Sequence, residues 1–189
     1  MALIPVSEAQ QRLLALAPHR AAEWTPIGEC VGRWLAAPVR ALRDQPWADL
    51  SAMDGYAVRA TEWPGPWTCV GESRAGAATP DALFPGQCSR IFTGAPMPSG
   101  TDAVLIQENA LREGDRITAS ADPLPAGRHV RTRGQDFTRD AELLDIGARI
   151  GPAQIALAVL AGLGALPVRP RLRVALLSTG DELTPPGAP

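Results

Sequence analysis

The sequence predicts an α+β fold with a mostly-β, barrel-like insert. Helix-like patterns run through the first 43 residues. Between 44 and 136 the segments become short, β-branched or aromatic, and are interrupted by glycine and proline. A helix flanked by strand patterns returns after 137. Several short strands at close spacing make a small β unit, and the helical stretches on either side of it set the class.

Ser7 with Gln10 matches a capping box. This predicts a first helix stopped by Pro18, with Leu13, Leu14 and Leu16 on its apolar face. The pattern predicts a second helix over 27–36, carrying Val31, Trp34 and Leu35, against a cost of about 1 kcal/mol at each of Gly28 and Gly32. Strands are predicted over 56–59, 67–70, 89–92, 103–107 and 116–119, with Glu113-Gly114-Asp115 as a hairpin turn. The pieces 63–66 and 95–100 read as loops. A strand pair, 142–146 and 148–150, leads into a helix beginning at Pro152. Ile155, Leu157, Ala158, Leu160 and Ala161 make that helix apolar nearly all round, which predicts burial. Gly162 and Gly164 end it. Residues 171–177 read as a strand with a continuous apolar half, as in a parallel sheet covered on both faces. Such a strand needs partners, so 171–189 read as the start of an α/β domain that continues outside this sequence.

The chain has 189 residues, 46% apolar and 20% charged, which fits a globular protein with a buried core. A net charge of −2 argues against a nucleic-acid partner. Cys30, Cys69 and Cys88 are too few and too scattered for a disulfide framework or a zinc knuckle. With only His19 and His129, a metal here would be a hard cation on oxygen ligands. The N-terminus lacks a secretory pattern. The most apolar stretch, 150–168, is too broken by proline and glycine to span a membrane. A cytoplasmic location follows as the expectation.

Five segments carry chemistry-bearing residues. Asp54 stands on an Asp-Gly turn before an alternating apolar run, which presents a carboxylate at a sheet rim. Thr93, with Gly94 beside it, ends a strand where a hydroxyl and backbone N–H groups suit an oxyanion. Gln107 and Glu108 follow an apolar strand directly. Arg131 and Arg133, two apart on a strand, would share a face and suit bidentate anion binding beside Asp136. Ser178, Thr179, Gly180, Asp181 and Glu182 close the last strand, at the end where open α/β sheets bind ligands.

In this order, 51–58, 91–98 with 103–108, 131–136 and 174–183 resemble the molybdopterin molybdotransferase family, which includes MoeA and the E domain of gephyrin. The resemblance runs from about Val6 to Leu183. It implies a transferase that inserts molybdate into adenylylated molybdopterin in a Mg²⁺-dependent step, releasing AMP and giving molybdenum cofactor. It implies an elongated homodimer with a cleft between domains of the two subunits, and molybdopterin adenylyltransferase as a pathway partner. The corresponding partition is 1–43 plus 137–170 as an elongated α/β linker domain, 44–136 as an inserted β domain, and 171–189 as the start of a molybdopterin-binding α/β domain.

Residue by residue, Asp54, Thr93, Asp136 and Glu182 fall on catalytic positions. Arg131 falls on a basic position of the cleft. Gln107, Glu108, Ser178, Thr179, Gly180 and Asp181 are further anion-binding candidates, and Glu182 or Asp54 is the candidate Mg²⁺ ligand. Trp47 and Leu50 stand where Phe and Asn are more common, and Gln135 and Phe137 where Glu and Ile or Val are. The alternative reading is a non-catalytic dimerisation or scaffolding module.

Overall fold

The computed structural model describes residues 4–16, 20–175, 177–184 and 186–187. The chain is mixed α/β with few helices. Helix α1 (Val6–Ala15) is followed by β1 (Glu23–Pro26), β2 (Val39–Arg40), β3 (Leu50–Ser51), β4 (Gly55–Val58), β5 (Trp67–Ser73), β6 (Gln87–Ile91), β7 (Ala103–Ile106), β8 (Ala110–Glu113), β9 (Arg116–Ala119), β10 (Val130–Arg131), β11 (Glu142–Leu144), α2 (Pro152–Leu160) and β12 (Ala165–Val168).

Six of these strands form one sheet, in the order β7–β4–β6–β5–β9–β8. Only the β5–β6 pair is parallel. Strand β4 reads Gly-Tyr-Ala-Val and is buried throughout, because both faces of the sheet are covered there. Tyr56 and Val58 pack with Trp67, Cys88, Leu105 and Ile117 on one face. Ala57 packs with Ile91, Ala95 and Val104 on the other, against Met97 and Val130. Burying each Val, Leu or Ile side chain here contributes about 1.5–3 kcal/mol. The hairpin at 113–115 is present: Glu113 pairs with Arg116, leaving Gly114-Asp115 as the turn, with Gly114 at φ 63°.

A second apolar cluster draws on both flanks of this sheet in the chain. Cys30, Leu35 and Val39 pack with Ile150, Ala158, Leu166 and Val168. Antiparallel pairs β1–β12 and β2–β11 join the same two stretches. Among the described residues no helix is long and apolar enough to cross a membrane.

Several sequence expectations are corrected. Pro5, not Ser7, is the N-cap of α1, and Ser7 lies inside the helix without a side-chain cap. Pro18 lies outside the described residues. The helix expected over 27–36 is a 3-10 turn, Ile27–Glu29, then a turn at 31–32 and isolated bridges at Trp34 and Leu35. Its backbone donors are satisfied elsewhere in the fold: Ile27 N–H donates to Gly164 O, Leu35 N–H to Ala148 O and Ala36 N–H to Pro167 O. These long-range bonds outweigh a weak local helix preference, and Gly32 at φ 80° breaks the helical path.

Segments 142–146 and 148–150 do not pair with one another. Strand β11 pairs with β2, and Arg149 bridges Trp34. Helix α2 starts at Pro152 as expected, and Gln154 Oε1 accepts the Gly151 N–H at 3.0 Å. It is not buried all round. Ala158 is its one buried residue, while Val159 and Leu160 are 48% and 45% exposed, because only one face meets the core. The Arg43 guanidinium closes its C-terminal end, donating to Leu160 O at 2.9 Å and Val159 O at 3.2 Å. Among the described residues of 171–177 there is no strand, since none of them meets a pairing neighbour; Leu176 lies outside the described residues.

Candidate functional site

Sheet register alone gathers the first group. Gly55 at the start of β4 pairs with Ile91 on β6 and with Ile106 on β7. One step outward, Asp54, Phe92-Thr93 and Gln107 therefore meet at one rim of three adjacent strands. Thr93 lies in the turn two residues past β6, and Gln107 opens a 3-10 turn, Gln107–Asn109. The rim is closed by hydrogen bonds. Thr93 N–H and Thr93 Oγ1 both donate to Asp54 Oδ1, each at 2.8 Å, and Gln107 N–H donates to Asp54 O at 3.1 Å. Gln107 Nε2 donates to Glu108 Oε1 at 3.2 Å. Asp54 Oδ2 accepts no hydrogen bond among the described residues.

Glycine at 55 is required by close approach rather than by a turn. A Cβ there would stand 2.0 Å from Leu105 O, so Asp54 sits at the mouth of an unusually tight β4–β7 contact. The Asp-Gly pair thus marks a strand entry rather than a hairpin.

Sequence reasoning missed Arg90. It pairs with Tyr56 across β4–β6 and donates to Gly55 O at 3.2 Å and to Gln107 Oε1 at 2.7 Å. Its guanidinium carbon lies 5.2 Å from the Tyr56 ring centre and 4.9 Å from that of Phe92. The period-2 alternation of β6 holds the signal that could have found it: Arg90 and Phe92 lie two apart and so share a face. The Thr93 N–H, then the Thr93 hydroxyl, then the charge of Arg90 hold Asp54 below the usual carboxylate range, against an opposing effect of burial. Asp54 is therefore ionised at neutral pH.

A second group flanks the segment leading to Asp54. Ser51 N–H donates to Ala95 O, Gly94 N–H donates to Ser51 O, and Ala52 N–H donates to His129 O. Strand β10 lies on the other side of β3, with Val130 opposite Ser51 and Arg131 opposite Leu50. Arg131 Nη2 donates to both carboxylate oxygens of Asp136, at 2.9 and 2.8 Å, and both side chains are partly exposed. The expected shared face for Arg131 and Arg133 is not formed, because β10 ends at Arg131. Arg133 turns to Asp44, its Nε donating to Oδ2 at 2.6 Å, and its backbone N–H donates to Asp49 Oδ1 at 2.7 Å. The Arg139 N–H, then Arg133, hold Asp44 below the usual carboxylate range.

The third group stands apart. Ser178, Thr179, Gly180, Asp181 and Glu182 are exposed, with a turn at 181–182 and Leu183 N–H donating to Gly180 O at 3.2 Å. Among the described residues they share no hydrogen bond or ion pair with the Asp54 or Arg131 groups.

No three His, Cys, Asp or Glu side chains converge on a metal position among the described residues. What the rim offers a cation is the free oxygen of an ionised carboxylate, Asp54 Oδ2, with the Glu108 carboxylate beside Gln107 on the same rim. That fits Mg²⁺, which takes one or two carboxylates and completes its shell with water and substrate oxygens.

The family model of the MoeA N-terminal region (domain I and II) matches residues 4–164. A molybdopterin molybdenumtransferase of a Nostoc species is 41% identical over 159 residues, covering 80% of this chain and 36% of that protein. One from Synechococcus elongatus is 37% identical over 173 residues, covering 87% of this chain and 43% of that protein. The chain thus spans less than half the length of these curated relatives. The crystal structure of a molybdopterin biosynthesis MoeA protein from Pyrococcus horikoshii superposes with a TM-score of 0.89 at 30% identity, covering 99% of this chain and 49% of that one.

Proposed function

The chain belongs to the MoeA N-terminal region family, and from that premise we propose that it serves molybdenum cofactor biosynthesis as part of a molybdopterin molybdenumtransferase. The reaction is insertion of molybdate into adenylylated molybdopterin with release of AMP. The observation that carries this reading is the rim at Asp54, where an ionised carboxylate, held by Thr93 and braced through Arg90 and Gln107, faces outward with one oxygen free.

The residues divide the work. Thr93 spends both donors on Asp54 and acts by fixing that carboxylate. Arg131 is occupied by Asp136, but an exposed pair of this kind is worth only about 0–1 kcal/mol. A multiply charged oxyanion such as molybdate or phosphate therefore competes for the Arg131 donors at little cost. Gln107 and Glu108 line the same rim. Water adds at the adenylate phosphorus and gives its proton to solvent, and the anhydride P–O bond breaks. Molybdopterin departs through its own phosphate and AMP keeps the water oxygen, while fixed donors stabilise the charge on the departing phosphate. Mg²⁺, when bound on Asp54, supplies Lewis-acid polarisation of the phosphate. Glu182 and residues 178–181 are assigned to the same substrate.

The division into a linker unit, 1–43 plus 137–170, and an inserted unit, 44–136, is supported by the separate apolar clusters. The homodimer is supported by α1, which buries no residue and exposes Leu13 and Leu14. Residues 171–189 as the start of a molybdopterin-binding domain, the cytoplasmic location and molybdopterin adenylyltransferase as supplier of the substrate complete the proposal.

The test is molybdenum cofactor formation from adenylylated molybdopterin and molybdate by the whole protein carrying Asp54→Asn. A loss of about a hundredfold is expected from removing one fixed charge at the reacting centre. Undiminished turnover would remove Asp54 from the chemistry and favour a scaffolding role for this part of the chain.

A further inference from the structure

A cleft of about 870 Å³ lies where Arg20, Val31, Arg33, Trp34, Arg169 and Arg171 come together. It shares no residue with the Asp54 rim or the Arg131 group. Four of its lining residues are arginines in a chain whose net charge is −2. Arg33 is structural. It pairs with Glu23, its side chain is 10% exposed, and it donates to Arg169 O through Nε at 3.2 Å and Nη2 at 2.7 Å. Those bonds fix the end of β12 against the 31–34 segment.

The other three guanidiniums have no carboxylate partner among the described residues. Arg20 Nη1 reaches Arg171 O, and Arg169 Nη1 reaches Arg20 O, both at 3.5 Å. Each guanidinium carries five N–H donors, so most remain free. Three uncompensated charges converging in a concavity raise the local concentration of anions. Trp34, half exposed, adds an aromatic wall beside them.

Size decides between partners. Clefts for small ligands hold about 300–1,000 Å³, and this one falls inside that range, whereas a protein partner needs a broad, flatter patch. Guanidinium forks match phosphate oxygens, and an indole accepts a planar ring. We propose that this cleft binds a small phosphate ester bearing a planar ring, a nucleotide by chemical class. Its phosphates lie on Arg20, Arg169 and Arg171, and its ring lies against Trp34 and Val31. The proposal is independent of the reaction assigned to the Asp54 rim.

The experiment is calorimetric titration of the protein with ADP, adenosine and inorganic phosphate at physiological salt. ADP saturates a site in this cleft, phosphate binds there more weakly and adenosine more weakly still. The double variant Arg169→Gln/Arg171→Gln, and separately Arg20→Gln, weaken ADP about tenfold or more, the size expected for lost charge-assisted bonds. Asp54→Asn retains the ADP binding that the arginine variants weaken. Circular dichroism establishes that each variant is folded, and Arg20→Gln decides the matter if the double variant is not. Absence of saturation by ADP overturns the proposal, as do equal affinities for ADP and adenosine or unchanged affinity in the folded arginine variants. Loss of binding in Asp54→Asn moves the nucleotide to the rim and equally overturns it.

Discussion

Thr93 gives both of its donors, the backbone N–H and the hydroxyl, to the same oxygen of Asp54, each across 2.8 Å. These two bonds are the main reason that Asp54 titrates below its ordinary value of 3.8. Thr93→Val keeps the N–H and removes the hydroxyl, so the Asp54 titration moves up toward that value. A depressed carboxylate stabilises the fold above its unfolded value and loses that contribution as pH falls through the folded one. The variant is therefore less stable than the parent at neutral pH, and the two converge in acid. Carboxyl-carbon NMR titration reads the shift directly, and an unmoved Asp54 midpoint would refute the assignment.

Arg90 ties the rim together through two aromatic contacts and two hydrogen bonds. Arg90→Ala costs about 1–3 kcal/mol in urea unfolding. Arg90→Lys keeps the charge, loses the planar fork and falls between the two. A lysine variant as stable as the parent would show that charge alone matters and that the fork geometry does not.

Gly55→Ala places a methyl group at 2.0 Å from Leu105 O, a backbone atom with no side-chain freedom to retreat. Parting β4 from β7 costs about 3 kcal/mol or more, in the range reserved for strain at a specially shaped site. Thermal unfolding checks it, and a change within about 0.5 kcal/mol would contradict the close approach.

Cys88 is fully buried, and desolvation, then the neighbouring Cys69, push its thiol up from 9.0 to about 12. A raised folded-state value leaves stability intact below the unfolded one and erodes it as pH climbs through the folded one. Stability of the parent falls between pH 9 and about 12, and Cys88→Ala flattens that decline. Thiol titration with a disulfide reagent at neutral pH should label the partly exposed Cys69 ahead of the buried Cys30 and Cys88. Prompt labelling of all three would contradict the packing.

What the sequence disclosed depends on which interactions decide each element. The strands over 56–59, 67–70, 89–92, 103–107 and 116–119 were legible because alternation and turn residues are local signals, and they appear as β4, β5, β6, β7 and β9. The 27–36 stretch was not, because its donors are satisfied by Ala148, Gly164 and Pro167, far along the chain. Asp54 and Thr93 were legible as individual residues, and register brought them together. Arg90 was hidden, because its importance arises from Tyr56 and Gln107 on neighbouring strands. The pairing of Arg133 with Asp44 was equally out of reach of a reading based on two-residue spacing.

The pairing of Glu23 with Val168 and of Val39 with Leu144 has a consequence for assembly. Partners in these ladders are roughly a hundred or more positions apart, and contacts of such high order form slowly. On a ribosome β1 and β2 emerge first and wait, unpaired, while the six-stranded sheet between them and their mates is made. Once that sheet collapses it brings the two flanks close and lowers the entropy of closing so long a loop. Nucleation therefore belongs to the middle of the chain, and the flanks are stitched together last.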